Sequence, residues 1–511
     1  MLSNPTVPAK KTVYVNRGQM VFRSTHIDEL VEEGHPVRAI WELTGGLDLT
    51  AYYAALKTTE NEPGRPAWDP RMMVSLWILA YTEGVSSARE IAALCEYHPA
   101  YQWLTAMEVP NHHSLSDFRV DHKKALDQLF EDVLGILSAE GLVDLETVMQ
   151  DGTKIQAYAS SDTFRREARL REHLDKARQQ VASMGDPRTA ADVEPRKKKA
   201  RERAAREKQE CLEKALLELE KLRATKPNAA EREAARVSMT DPEARIMKTS
   251  AGGFQPAYNA QFSTDAAHQA IVGVGVTQHG VDYHELVEGM ETVQENTGEL
   301  PAKEVVDDGY ISRKNIMASD EMGVELYGPA KDYQKETPQV IAQMKRRGVA
   351  PAFYPAAFTY DAAADVYRCP AGKCLSATNH TEKGIGVTKH TYRAAATDCL
   401  ACVHKSNCCP QSADNCRSIT RAEEHATVLA FVARMETAAA KALYKTRGAV
   451  AEFPNAWIKE KLGLRRYRLR GLYKVTMETV WACVTYNIQL WIRLCWRPRL
   501  AIAMSETCRT G

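Results

Sequence analysis

Three acidic residues sit in local settings suited to metal-assisted chemistry. Asp151 closes the run Glu146-Thr147-Val148-Met149-Gln150 and is followed by Gly152-Thr153-Lys154. Asp307 closes Glu304-Val305-Val306 and is followed by Asp308-Gly309-Tyr310. Each run favours a strand that delivers its aspartate at the C-terminal edge. Glu452 comes later, with Tyr444 and Arg447 before it and Lys459 seven residues after it. Carboxylates suit Mg²⁺ or Mn²⁺, hard ions that take oxygen ligands. Two such ions about 4 Å apart activate an attacking oxygen and stabilise a leaving one in phosphodiester chemistry. Carboxylates sharing a site repel one another and resist ionisation, and the cations remove that conflict.

The elements that must position these acids are readable in outline. Residues 1–145 read as a helical unit. Arg71–Tyr81 is apolar enough for a buried helix, Ser87-Ala88-Arg89-Glu90 makes a capping box, and so does Ser114-Leu115-Ser116-Asp117, opening an amphipathic stretch that ends at Gly141. Short helices joined by tight turns suit helix-turn-helix DNA binding and a plain bundle alike. Residues 161–239 read as two charged helices folded back on each other, with a break at Gly185-Asp186-Pro187. The basic run Arg196-Lys197-Lys198-Lys199 with Arg201 and Arg203 reads as a phosphate grip or as a solvated face balanced by Glu207, Glu210, Glu213 and Glu218. Tyr258–Phe262 and Ile271–Val276 predict a β-hairpin turning at Asp265–His268. A helix follows, then the strand ending at Asp307, and Val324-Glu325-Leu326-Tyr327 as one more short strand. Strand, insertion, two strands, helix, strand and late helices is the element order of an α/β fold with an RNase H-like mixed-sheet core.

Bulk properties bound this picture. With 511 residues the chain is too long for one compact core. A net charge of +1 announces no nucleic-acid partner, so any such footprint must be local. No apolar stretch at the start resembles a signal peptide. Val475–Leu494 is interrupted by Glu478, Asn487, Gln489 and Arg493, which predicts a buried helix rather than a membrane span. A cytoplasmic protein without a membrane partner is expected.

The local words and their order resemble bacterial insertion-sequence transposases of the DDE type, most closely those with a Tyr-Arg-Glu-Lys signature around the third acid. The resemblance spans about residues 20–495. It includes Asp69-Pro70-Arg71, Pro110-Asn111-His112-His113-Ser114, Phe118-Arg119, Asp241-Pro242-Glu243-Ala244-Arg245 and Tyr258-Asn259-Ala260-Gln261. It implies catalytic, metal-holding roles for Asp151, Asp307 and Glu452, with two Mg²⁺ or Mn²⁺ ions per site. Arg447 and Lys459 are then placed to meet phosphate oxygens near the cleaved bond, and Tyr444 to stack on a base or bond a phosphate. Strand pleating turns Asp308 away, and Glu460 lacks the preceding Tyr and Arg. Pro454, two residues after Glu452, predicts a kink there. The implied activity is a DNA transposase cutting and joining element ends, as a homodimer pairing terminal inverted repeats and engaging target DNA. It would be associated with the nucleoid when bound to DNA. The alternatives are a metal-dependent nuclease without strand transfer and a transposase-derived DNA-binding regulator.

Two further clusters stand out. Residues 441–474 hold ten Lys or Arg against Glu452 and Glu460, and Arg465, Arg466, Arg468 and Arg470 interleave with Tyr467. That is a local positive footprint beside the third acid, suited to phosphates. Of twelve cysteines, seven fall between Cys369 and Cys416. Clustering without an export signal favours a metal over disulfides. Cys369, Cys399, Cys402 and Cys408 make a structural Zn²⁺ site of four thiolates, with Cys374, Cys409, Cys416 and His404 as spare candidates; the alternative is a reduced, metal-free loop. The expected parts are a helical N-terminal DNA-binding domain (1–145), an RNase H-like core (146–160 and 240–335), a helical hairpin insertion (161–239), a Cys-rich insertion (336–420) and C-terminal core helices (421–511).

Overall fold

A computed structural model describes residues 17–20, 24–56, 58, 66–184, 195–249, 252–330, 338–410 and 416–510. Its N-terminal part is helical. Helix α1 (Pro70–Thr82) is buried along almost its whole length, with Asp69 capping it through a 3.0 Å bond from the Arg71 amide and Pro70 in the first turn. Ser87 caps the helix Ala88–Tyr97 as expected. The second expected capping box differs: Asn111, not Ser114, caps the helix His112–Asp121. The chain breaks at His122, and α2 (Lys123–Ala139) follows. The Asn111 carboxamide reaches the His113 amide at 2.8 Å, so the helix begins before Ser114 can act as a cap.

Strand β1 (Thr147–Gln156) runs five residues past Asp151, so the aspartate sits in mid-strand rather than at its end. The reason is pairing. The antiparallel partner holds β1 from Val148 to Gln156, whereas the parallel partner holds only Thr147–Met149. After β1 come helices α3 (Glu167–Met184) and α4 (Pro195–Ala224), packed through Leu170, Leu174 and Ala177 against Leu212, Ala215 and Leu219. The break at Gly185-Asp186-Pro187 lies outside the described residues. Two residues at each foot, Phe164–Arg165 and Val237–Ser238, pair as a clasp. Arg203 bonds to Glu207 on its own helix, as on a solvated face.

The sheet resumes with β2 (Arg245–Lys248), β3 (Phe254–Asp265) and β4 (Ile271–Thr277). After α5 (Leu286–Thr297) come β5 (Lys303–Val305) and β6 (Glu325–Tyr327). β1 is flanked by antiparallel β3 and parallel β5, with β6 beyond β5. β2 and β4 pair antiparallel with successive parts of the outer edge of β3. The hairpin of β3 and β4 matches the expected one. β3 is buried from Ala257 to Asp265, as a strand covered on both faces must be.

The Cys-rich stretch contains a five-stranded antiparallel meander that the sequence reading did not anticipate. Its strands are β7 (Thr359–Asp361), β8 (Val366–Arg368), β9 (Cys374–Gly384), β10 (Val387–Ala394) and β11 (Ser418–Glu424), each beside the next. Helix α6 (Ala438–Glu460) then lies against β1 and β3, and α7 (Leu472–Trp491) is buried along most of its length. α6 passes through Pro454 as one helix, so the expected kink does not divide it. One core joins α1, α2, α7 and the sheet: Trp77, Leu126, Phe262, Ile271 and Trp481 all belong to it. Among the described residues no helix is long and apolar enough to cross a membrane.

Candidate active site

Asp151 projects from β1 toward α6, and both its oxygens are engaged there. Arg447 Nη2 donates to Oδ1 and Asn455 Nδ2 to Oδ2, each at 2.7 Å. One turn after Asn455, Lys459 Nζ donates to Thr153 Oγ1 on the same strand. Arg447, Ala451, Asn455 and Lys459 recur every four residues, so they form the stripe of α6 that faces β1. Burial lowers the Lys459 ammonium pKa against the opposing pull of Asp151.

Asp307 stands just past β5, half-buried, with its Oδ1 accepting the Gly309 amide at 2.8 Å; Asp308 beside it is exposed. A third acid, not singled out from the sequence, joins these two. Asp282 lies in the loop between β4 and α5. Its Oδ1 accepts from Lys154 at 2.9 Å, Asn259 at 2.7 Å and Gln261 at 2.9 Å. This approach requires Gly152, because a Cβ there would stand 2.4 Å from Asp282 Oδ1. Burial pushes the Asp151 carboxyl up to about 6; Arg447 opposes this, while Asp307 and Asp282 add to it. Divalent cations would relieve that concentration of charge, and the donors are hard oxygens, so the residues fit such ions. Among the described residues no three His, Cys, Asp or Glu side chains are grouped closely enough to hold an ion as they stand.

Glu452 is not drawn into this group. It is exposed, one residue off the stripe that faces β1, with its carboxylate near Gly448 one turn back. The buried Ala451 occupies the facing position. Tyr444 is half-buried, and its phenol, raised mainly by burial, feels the charges of Asp307 and Asp308.

The basic stretch adjoins β1 directly. The Gln156 amide donates to the Arg465 carbonyl at 3.3 Å and the Tyr467 amide to the Gln156 carbonyl at 2.9 Å. Arg466 and Arg470 rest against the ring of Tyr158, at 5.0 and 4.8 Å. The amides of Arg468 and Leu469 are held by the buried carboxylate of Glu478. Arg465 pairs with Glu460. In the Cys-rich part, Cys369, Cys399, Cys402, Cys408 and Cys409 line one small cavity of about 30 Å³. The Lys373 amide donates to Cys369 Sγ at 3.3 Å and the Arg417 amide to Cys399 Sγ at 3.5 Å.

Residues 25–121 match the family model of a transposase domain (DUF772), and residues 368–491 match that of a transposase DDE domain. The two matches, one toward each end, are both to transposase families. Together they support an insertion-sequence DDE transposase. The DDE domain family implies a nuclease or transposase activity on a DNA substrate, and such proteins typically use divalent metals. The second span contains Tyr444, Arg447, Glu452, Lys459 and the clustered cysteines, whereas Asp151 and Asp307 lie between the two spans. No curated protein matches the chain.

Proposed function

We propose that this transposase cuts element ends and joins them to target DNA at a site built on Asp151, Asp307 and Glu452, carried by an RNase H-like sheet. The observation that carries the reading is the meeting of Asp151 with Asp307 at adjacent strands, faced by Arg447, Asn455 and Lys459 from one helix. Strand order supports it too: a central strand with one antiparallel and one parallel neighbour brings two strand-borne acids to the same end of the sheet. Asp151 and Asp307 would hold two divalent ions, with Glu452 turning in from the exposed side of α6 to complete the set; such ions would supply activation of the attacking oxygen and stabilisation of the leaving one. Arg447 and Lys459 orient the scissile phosphate by charge-assisted hydrogen bonds, and Asn455 fixes the Asp151 carboxylate. Arg465, Arg466, Arg468 and Arg470 continue the cationic track along the DNA backbone, and Tyr444 borders it near Asp307. Terminal inverted repeats, a homodimer and a helical N-terminal domain that recognises element ends complete the reading.

A structural Zn²⁺ on Cys369, Cys399, Cys402 and Cys408 belongs to the same proposal. Backbone amides aimed at Cys369 and Cys399 are the outer contacts that orient thiolate ligands. Four protein ligands would leave no open position, so a bound ion would order its segment and take no part in catalysis.

The test is a strand-transfer assay on end-containing DNA with Mg²⁺, comparing wild type with Asp151→Ala. Cleavage and joining should both fall at least a thousandfold while DNA binding persists. Retained cleavage in the variant would overturn the site.

A further inference from the structure

Two side chains of the word Asp241-Pro242-Glu243-Ala244-Arg245 reach the basic loop that precedes α7. That loop, residues 465–472, exposes Arg465, Arg466, Arg468 and Arg470 and buries Tyr467 among them. Its backbone is gripped by carboxylates. Glu478 accepts the Arg468 amide at 3.1 Å and the Leu469 amide at 3.0 Å. Asp241 accepts the Gly471 amide and Glu243 the Leu472 amide, each at 3.1 Å. Glu478 and Asp241 are fully buried. Asp241 and Glu243 are anchored in turn, by Tyr258 on β3 at 2.7 Å and by Lys214 on α4 at 2.5 Å. Gly471, at φ +84°, passes so close that a Cβ there would stand 3.0 Å from Glu243 Oε2. α7 has no cap of its own at Gly471, so two acids 230 and 229 residues away satisfy its first amides. A neutral Ser or Asn would suffice as a cap, and a buried carboxylate costs more. The excess charge has a use here: Arg468 bears on Glu478 and Arg470 on Asp241, which offsets the mutual repulsion of the arginines.

We propose that Asp241, Glu243 and Glu478 are positioning residues for DNA binding, a seat that fixes the arginine loop before the phosphates arrive. This rests on the phosphate track read for Arg465, Arg466, Arg468 and Arg470. A loop that orders only on binding spends part of its contact energy on lost backbone freedom, and a loop already fixed does not. The acids take the backbone amides, so the guanidinium groups stay exposed for the partner. The seat also joins three parts of the molecule beneath one track: β3 through Tyr258, the helical hairpin through Lys214 and α7 through Glu478. None of the three acids touches DNA or metal, and each acts through the loop.

The experiment is a double-mutant cycle read by fluorescence anisotropy on end-containing duplex DNA, with Ca²⁺ in place of Mg²⁺ so that nothing is cut. Glu243→Ala should weaken binding by about tenfold. Glu243→Gln should restore it, because the carboxamide oxygen still accepts the Leu472 amide. In an Arg468→Ala/Arg470→Ala background, Glu243→Ala should change affinity less than about twofold, since the groups it positions are gone. With Mg²⁺, the loss for Glu243→Ala should fall on KM far more than on kcat. Gly471→Ala, which presses on the same carboxylate from the loop side, should repeat the pattern and serves if Glu243→Ala does not fold. Wild-type affinity for Glu243→Ala overturns the seat. So does an equal loss in both backgrounds, which would mean that the acid acts through the fold at large. An Arg468→Ala/Arg470→Ala protein that binds as wild type instead brings down the phosphate track itself. A track that matters while Glu243 does not removes the seat alone.

Discussion

Asp151 carries a load that shows up in stability. Its carboxyl titrates at about 6 instead of 3.8, chiefly because it is buried and secondarily because Asp307 and Asp282 are near. Between those values the folded chain binds the proton more tightly than the unfolded chain. The contribution to stability is therefore present at low pH and is lost as pH rises from about 4 to about 6. Its size is of the order of 2–3 kcal/mol at most. In chelator, the melting temperature should fall across that window more steeply for wild type than for Asp151→Asn, and Mg²⁺ should restore wild type above pH 6. Equal slopes for the two proteins would rule out Asp151 as the source. At this scale the sequence was partly legible: Arg447 and Lys459 stood in recognisable words around Glu452. Asp282 and Asn455 did not, because each acts on β1 from more than a hundred residues away and no local pattern marks either.

The free edge of the sheet shows how an element is kept in register. The carboxamide of Asn487 on α7 spans β4, accepting the Ile271 amide at 3.0 Å and donating to the Ile271 carbonyl at 2.9 Å. It imitates a neighbouring strand at an edge with which no strand pairs among the described residues. Asn487→Leu leaves both buried backbone groups unpaired and should cost about 2–4 kcal/mol, read from denaturant midpoints. A loss below 1 kcal/mol would mean that water replaces the amide. The β3–β4 hairpin was legible because apolar residues, β-branched residues and a turn cluster agreed. The full length of β1 was not, since Gly152-Thr153-Lys154 reads as a strand ending and only the pairing with β3 extends it. The meander in the Cys-rich part was hidden because β9 opens with Cys374-Leu375-Ser376-Ala377-Thr378, without clear alternation. Pro454 was misleading in the other direction: burial of Ala451, Asn455 and Ile458 against the sheet holds α6 together through the missing amide. The stripe of α6 also explains why Glu452 is the acid farthest from its expected place, a quarter-turn from the buried Ala451.

The whole molecule combines a two-sided α/β core with two long excursions, and the Cys-rich one has little apolar interior of its own. Phe358, Leu375, Tyr392, Ala394 and Ile419 are its buried core, ringed by Cys369, Cys399, Cys408 and Cys416. A core that small needs a staple. Purified protein should hold about one zinc per chain, and Cys399→Ser or a strong chelator should expose residues 369–416 to protease while the core sheet stays protected. A metal-free preparation that is equally resistant would dispose of the zinc. Helix α7 has a different consequence. Trp481 donates to the Arg119 carbonyl at 3.3 Å, and the same helix packs on α1 and on β4. Helix α7, late in the chain, is therefore the one that closes a helical bundle made long before it. A growing chain must carry α1 and α2 incompletely covered through the synthesis of more than three hundred further residues. Translation runs opposite to assembly here, and segments far apart in the chain are bound to one another by folding.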